Sequence, residues 1–226
     1  LELIRDHSVN VMEAVPSSLG MLVERPDFDA CASLEKVVLG GEALSPGMRD
    51  SFYDNRGDAT LYNPYGPTEA TVETTMHECV RGATSVSIGG PMHNYEVRVL
   101  DTSLQLQPSG VPGELSIAGD GLAIGYHGKP SLTAMAFVPC PDAERRGERM
   151  YRSGDHARWV DGQLEFEGRR DHQIQVRGVR VELGEIETIL RSLPGVGDAV
   201  VVAVNEAEGR ADSIVAYIVP ASVEND

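Results

Sequence analysis

Leu61-Tyr62-Asn63-Pro64-Tyr65-Gly66-Pro67-Thr68-Glu69-Ala70-Thr71-Val72-Glu73 brings an apolar entry, an aromatic, a Gly-Pro turn, a hydroxyl and a carboxylate into one short loop. An aromatic face can stack on a base, and a tight turn lets backbone approach a ligand. Thr can donate to phosphate, and Glu can hold Mg²⁺ against phosphate oxygens. By itself the loop reads equally as an ordinary turn between a strand and the next element. Its surroundings decide between the two.

Upstream, Val9 to Val15 is a short apolar run ended by Pro16. Ser17 and Ser18 are expected to cap a helix carrying Leu19, Met21, Leu22 and Val23. Leu34 to Leu39 reads as a strand stopping at Gly40-Gly41-Glu42. Ser45-Pro46 starts a helix that Gly57 stops, and a strand at Thr60 to Tyr62 feeds the loop. Strands alternating with helices indicate an α/β layer whose strand ends form a ligand crevice.

Downstream of about Val86 the texture changes to short strands at Glu96 to Leu100 and Glu114 to Ala118. A hairpin follows, Ala157 to Val160 and Gln163 to Phe166 around Asp161-Gly162, with a short helix expected at Ser131 to Phe137. Near Arg170-Asp171 comes a strand at Ile174 and Val176. Next is a helix with Leu183, Ile186, Leu190 and Leu193 on one face, then strands at Ala199 to Val204 and Ser213 to Val219. The expected organisation is an α/β part over 1–85, a β-rich barrel-like part over 86–170, and the start of a small α+β part over 171–226.

The bulk numbers narrow the function classes. Thirty-five acidic against 19 basic residues give a formal charge of −16 over 226 residues. That argues against non-specific nucleic-acid or anionic-membrane partners while leaving room for a local phosphate site. Cys31, Cys79 and Cys140 fit neither a disulfide framework nor a Cys-x-x-Cys metal site, so a reducing cytoplasm is expected. His77-Glu78-Cys79 lacks a second ligand pair. Nothing in the sequence reads as a signal peptide or a membrane span. The chain opens at Leu1 inside an ordered pattern and ends soon after a strand-like run, so a piece of a longer protein is expected. Gly119 to Gly125 fails as a dinucleotide fingerprint because its third glycine falls one residue late, and Gly128-Lys129-Pro130 fails as a phosphate loop.

Five motifs occur together in one order: Gly40-Gly41-Glu42-Ala43-Leu44; Asn63 to Glu69; Gly113-Glu114-Leu115 with Gly119 to Tyr126; Tyr151 to Asp155; and Gly168-Arg169-Arg170-Asp171 with Gln173 to Glu187. In that order and spacing the chain resembles the adenylation domains of nonribosomal peptide synthetases, in the superfamily that includes acyl-CoA ligases and luciferases. The resemblance covers nearly the whole chain. It implies the C-terminal half of an adenylate-forming large subdomain with the start of the small one, incomplete at both ends.

The implied activity is formation of an aminoacyl adenylate from an amino acid and Mg-ATP, with release of pyrophosphate. Transfer to a carrier-protein phosphopantetheine thiol follows, in antibiotic-type peptide synthesis. By the same resemblance Asn63 and Tyr65 contact adenine with the backbone of Gly41, Glu42 and Ala43. Thr68 touches phosphate, Glu69 ligates Mg²⁺, and Asp155 accepts from the ribose hydroxyls. Arg169 lies near ribose or phosphate, and Phe166 near the nucleotide. Asp171 is the hinge, and Arg177 and Gly178 belong to a loop that enters for thioester formation. The residue chemistry leaves plainer readings open: Asp155 as a turn cap, Arg169 in a surface ion pair, Phe166 as hairpin packing, and 177–180 as a solvated turn.

Ile124 and His156 stand where the family usually has Arg and Leu. The resemblance also implies a phosphate loop and an amino-group aspartate before Leu1, and a lysine after Asp226. The fragment alone is therefore expected to be inactive. The implied amino-acid lining is Glu13, Val38, Gly40, Pro64, Val72 and Glu73. Two carboxylates over a glycine floor favour a long cationic side chain such as ornithine or arginine, unless one or both face solvent. Implied partners are a peptidyl carrier protein and a condensation domain. The alternatives are an acyl- or aryl-CoA ligase, or a non-catalytic piece that binds nucleotide or carrier.

Overall fold

A computed structural model describes residues 1–141, 147–169, 173–176, 179–204, 210–211 and 213–221, with only the backbone followed at 173–176, 179–180 and 210–211. The chain divides into two units, Leu1–Gly168 and Arg169–Asp226.

The first unit opens with α1 (Glu2–Asp6), β1 (Val11–Ala14), α2 (Pro16–Val23), β2 (Lys36–Leu39), α3 (Pro46–Asn55) and β3 (Thr60–Tyr65). A single 3₁₀ turn, Thr68–Ala70, leads to β4 (Thr75–Glu78) and β5 (Gly90–Pro91). These five strands form one sheet in sequence order. β1, β2 and β3 run parallel, and β4 and β5 add antiparallel pairings. Leu19, Val37, Leu39, Phe52 and Leu61 fill the core between the sheet and α2 and α3.

The helix starts obey different chemistries. Ser45 caps α3 by accepting from the Met48 N–H at 3.2 Å, with Pro46 in the first turn. α2 starts after Val15 with Pro16 in its first turn, not on a serine cap. Ser17, expected to accept, instead donates its N–H and its hydroxyl to the Glu42 carboxylate, at 2.9 and 2.8 Å. A carboxylate from 25 residues away thus satisfies the open donors of that turn. α3 ends at Asn55 with Arg56 as its C-cap, ahead of Gly57. The Arg56 guanidinium is buried and donates to the carbonyls of Cys31 and Leu34, the latter at 2.7 Å.

β6 (Tyr95–Leu100), β7 (Gly113–Gly119), α4 (Pro130–Ala136), β8 (Phe137–Pro139), β9 (Arg149–Val160) and β10 (Gln163–Arg169) follow. They make an antiparallel sheet of order β10-β9-β7-β6, with β8 also on β9. Asp161 and Gly162 both take positive φ, 48° and 78°, the backbone of a two-residue hairpin turn. Ile88 N–H donates to Leu164 O and Leu164 N–H to Gly89 O, both at 2.8 Å, so the lead into β5 is tied to β10.

The second unit holds β11 (Gln173–Val176), β12 (Val179–Glu182), α5 (Leu183–Arg191), β13 (Val196–Val204), β14 (Arg210–Ala211) and β15 (Ser213–Pro220). Leu183, Ile186 and Leu190 on α5 pack on Val201 and Ala203 of β13, the helical spacing visible in the sequence. β13 and β15 pair antiparallel. Asp171, Arg177 and Gly178 lie outside the described residues.

Removing the Arg56 fork takes its donor from Leu34 O and leaves Cys31 O with only the Leu34 N–H. Arg56→Ala is expected to destabilise the first unit by about 2–4 kcal/mol, read as a lower urea midpoint. Arg25→Ala, which removes an exposed ion pair to Asp27, should leave the midpoint where it is.

Candidate functional site

The stretch that reads as one loop in the sequence is half strand. β3 continues through Asn63, Pro64 and Tyr65 because β4 pairs with it from Tyr62 to Tyr65. Odd-numbered residues of β3 turn their backbone groups towards β4, as the bonds from Cys79 N–H to Leu61 O and from Thr74 N–H to Tyr65 O record. Pro64 therefore turns its missing N–H the other way, where pairing with β2 has already ended at Tyr62.

Period two then sorts the side chains. Leu61 and Asn63 face the helix-covered side, and Asn63, 5% exposed, donates its Nδ2 to Ser87 O at 2.8 Å. Pro64 faces the opposite side, with Gly40 beside it; a Cβ on Gly40 would stand 3.3 Å from Pro64 Cγ. Val38 is registered with Glu13 on β1 and with Tyr62 on β3. Glu13, Val38, Gly40 and Pro64 thus share one face of the sheet.

Gly66 is obligatory at the end of β3, because an added Cβ would meet Val72 O at 2.4 Å and Thr74 N at 2.8 Å. The chain then makes the 3₁₀ turn, and Thr71 and Val72 both take left-handed φ, 58° and 69°. For two β-branched residues in a row this is strained backbone. Val72 is 59% exposed, and Thr74 Oγ1 is buried without a hydrogen-bond partner. Glu73 is half-buried. Burial first, and the nearby Glu13 second, push its carboxyl above the ordinary range. The two expected pocket carboxylates are therefore within electrostatic reach of each other.

Among the residues expected to face nucleotide, Tyr65 donates its hydroxyl to the Asp155 carboxylate, from 90 residues away. The Tyr65 and Phe166 rings lie 6.1 Å apart, tilted by 37°. Asp155, 6% exposed, sits not in a turn but in a bulge of β9, where pairing with β7 slips between Glu114 and Ser116. Ser153 Oγ donates to Leu115 O at 2.5 Å and accepts from the Asp155 N–H at 3.1 Å, which fixes the bulge. Bulges re-aim side chains; here the result is a carboxylate directed at Tyr65.

Glu69, 9% exposed, accepts from Tyr126 Oη at 2.6 Å on Oε1. Burial, then the hydrogen bonds to Glu69 and Tyr151, push the Tyr126 phenol above its usual range, so it stays a donor. Thr68 is exposed on the same turn. Glu42 and Gly41 stand at the end of β2, Glu42 engaged with Ser17 and Gly41 at φ 79°, and Ala43 is buried to an intermediate degree next to them. Arg169 is the last residue of β10 and the first of the second unit.

The sequence reading gave no role to Tyr126, Ser153 or Thr71. The only signal for Tyr126 was an aromatic closing the Gly119 to Tyr126 motif. Among the described residues no group of three His, Cys, Asp or Glu could hold a metal, and no helix is long and apolar enough to cross a membrane. The three cysteines are buried, and no disulfide joins them.

Strand-end loops of an α/β sheet facing a second β-sheet define an adenylate-forming architecture, and the comparisons agree. The AMP-binding enzyme family matches residues 1–127; the chain belongs to that family. Within it the likeness is to nonribosomal peptide synthetase adenylation domains. The chain is 44% identical over 220 residues to Tyrocidine synthase 3 of Brevibacillus parabrevis, covering 96% of this chain and 3% of that protein. It is 44% identical over 222 residues to Phosphinothricin tripeptide synthetase PhsB of Streptomyces viridochromogenes, covering 98% and 18%.

Holo-PA1221, a synthetase protein containing adenylation and carrier domains bound to a vinylsulfonamide inhibitor, superimposes with a TM-score of 0.86 at 29% identity over 96% of this chain and 38% of that one. The Vibrio cholerae adenylation domain AlmE, in complex with glycyl-adenosine-5'-phosphate, gives 0.80 at 31% over 96% and 42%. The chain thus spans less than half of either structure and under a fifth of either synthetase.

A carboxyl whose folded-state pKa is raised holds its proton more tightly when folded, so its favourable contribution is present at low pH and is lost as pH rises through the raised value. Glu73→Gln should therefore raise the urea midpoint at neutral pH and leave it unchanged near about pH 4, where glutamate is largely protonated. Glu13→Gln should produce part of the same gain.

Proposed function

We propose that this chain forms the adenine, ribose and amino-acid walls of an amino-acid-adenylating site. In that site an amino-acid carboxylate attacks the α-phosphorus of ATP and pyrophosphate leaves. The observation that carries this reading is the joining of Tyr65, Phe166 and Asp155 from three strands: two ring faces beside a buried carboxylate. That is what an adenosine needs, a stacking surface and an acceptor for vicinal hydroxyls.

Thr68 and Glu69 extend the wall towards the phosphates. The donor set there is hard oxygen, one carboxylate with one hydroxyl, which fits Mg²⁺ held mainly by substrate phosphates. When bound, the ion neutralises phosphate charge. Asn63, engaged with Ser87, and the backbone of Gly41, Glu42 and Ala43 serve as the rim of the base site. Arg169 is assigned to ribose or phosphate.

On the opposite face of β3 we assign Glu13, Val38, Gly40, Pro64, Val72 and Glu73 to the amino-acid side chain. The mutual repulsion of Glu13 and Glu73 supports a cationic substrate such as ornithine or arginine, since an ammonium or guanidinium placed between them relieves it. Transfer of the acyl group to the phosphopantetheine thiol of a carrier protein, beside a condensation domain in the cytoplasm, is the second half of the proposal. The carrier domains of PA1221 support it. The division at Gly168/Arg169 supports a hinge at Asp171, with Arg177 and Gly178 in the thioester loop. A partition into large-subdomain parts over 1–85 and 86–170 and a small part over 171–226 belongs to the same reading.

Amino-acid-dependent ATP–pyrophosphate exchange by the protein that carries this chain should favour ornithine or arginine. Preference for valine or phenylalanine would refute the cationic assignment. Asp155→Asn should weaken ATP binding, read by calorimetry, by about tenfold, equivalent to about 1.4 kcal/mol. ATP affinity equal to wild type would refute the ribose assignment.

A further inference from the structure

We propose that Tyr126 is the positioning residue for Glu69, its hydroxyl fixing the direction of the carboxylate toward the phosphate-bound cation. The inference rests on the reading of Glu69 as a metal ligand given above.

A glutamate carboxylate turns about a broad, roughly two-fold terminal torsion, so its own backbone does not fix where its oxygens point. At Glu69 that freedom is removed from outside. Tyr126 donates to Oε1 at 2.6 Å, in the range of a charge-assisted O–H···O⁻ bond. The Ala123 N–H donates to Glu69 O at 2.8 Å. The side chain and the main chain of Glu69 are thus held by the same segment, Gly119 to Tyr126.

Neighbouring residues of the turn are held as well. Tyr95 Oη donates to Ala70 O at 2.9 Å, and Thr71 Oγ1 to Gly121 O at 2.7 Å. The segment is itself pinned from behind. Arg149 donates to the carbonyls of Ile124 and Ala123 at 3.0 and 3.1 Å, and its guanidinium lies 5.3 Å from the Phe137 ring centre. Phe137 meets the Tyr126 ring edge-on at 5.8 Å, and the Tyr126 N–H donates to Thr133 Oγ1 at 2.9 Å. The Tyr126 hydroxyl therefore approaches Glu69 from a ring that cannot swing away. Packing alone needs the ring; the hydroxyl serves Glu69 and its bond with Tyr151.

Tyr126→Phe keeps the ring and removes the hydroxyl, so it separates the two roles. The test is Mn²⁺ binding to the full chain in the presence of ATP, read by electron paramagnetic resonance, with nucleotide binding in EDTA measured alongside. Losing a partner of a metal ligand typically costs about 10–100-fold in metal affinity, and Tyr126→Phe is expected to weaken Mn²⁺ binding by about tenfold. Metal-free ATP binding should hold, while the thermal midpoint falls modestly because a buried carboxylate loses a donor. With Glu69→Gln already in place, Tyr126→Phe should add nothing.

Wild-type Mn²⁺ affinity in Tyr126→Phe overturns the proposal, as does an equal loss of ATP binding in EDTA, which marks a structural role. If Glu69→Gln weakens Mn²⁺ binding while Tyr126→Phe does not, the positioning role fails and the reading of Glu69 stands. If Glu69→Gln has no effect, or the wild-type chain gives no saturable Mn²⁺ signal, that reading fails and the proposal with it.

Discussion

The pleat of β3 is the constraint on which the first unit depends. One strand shares its hydrogen bonds in succession, with β2 over its first residues and with β4 over its last. That handover admits Pro64 and sends Asn63 and Pro64 to opposite faces. It also delivers the chain at Gly66 into a turn so tight that no side chain fits there. A one-residue slip would exchange the two faces and place the strand's polar set in the core. The same register thus secures the fold and separates the row of Leu61 and Asn63 from the row of Tyr62 and Pro64.

Electrostatic cost is concentrated in the same neighbourhood. Glu13 and Glu73 repel, Thr71 and Val72 hold left-handed backbone, and Thr74 keeps a buried hydroxyl unpartnered. Each is unfavourable by itself, and each lies within or beside the run that follows Gly66. Sites that bind ligands commonly hold such unfavourable features, because a ligand that relieves them binds more strongly. Opposing them is a set of well-satisfied supports: the Ser153 bulge under Asp155, the Glu42 contacts to Ser17, and the Arg56 fork.

The contrast between Asp155 and Glu69 carries the same lesson. Both are nearly buried carboxylates, and both accept from a tyrosine hydroxyl supplied by a distant strand or segment. Asp155 is aimed by a backbone irregularity and Glu69 by a neighbouring loop. A short aspartate follows its backbone, whereas a longer glutamate needs a partner at its tip.

Much was legible in the sequence because its signals are local. Ser45-Pro46 starts α3, Asp161-Gly162 makes a hairpin, and the apolar spacing from Leu183 to Leu190 buries one face of α5. The ordered set of five motifs marks the AMP-binding enzyme family because it samples loops that a shared fold brings together. Other features followed from contacts the sequence does not state. β4 and β5 are too short to read from alternation, and the strand character of Asn63 to Tyr65 exists only because β4 pairs with it. Ser17 reads as a cap until Glu42 arrives from another strand end, and the Tyr151 to Asp155 run reads as a turn until β7 shows it to be a bulge. Propensity and capping act over a few residues, so sequence alone determined α2, α3, α4 and α5, the hairpin and the family, but not α1. Hydrogen-bond partners, carboxylate directions and the meeting of Tyr65 with Asp155 and of Tyr126 with Glu69 join residues 90 and 57 positions apart. Only tertiary structure decided those, because they depend on strand register and on side chains that touch through space.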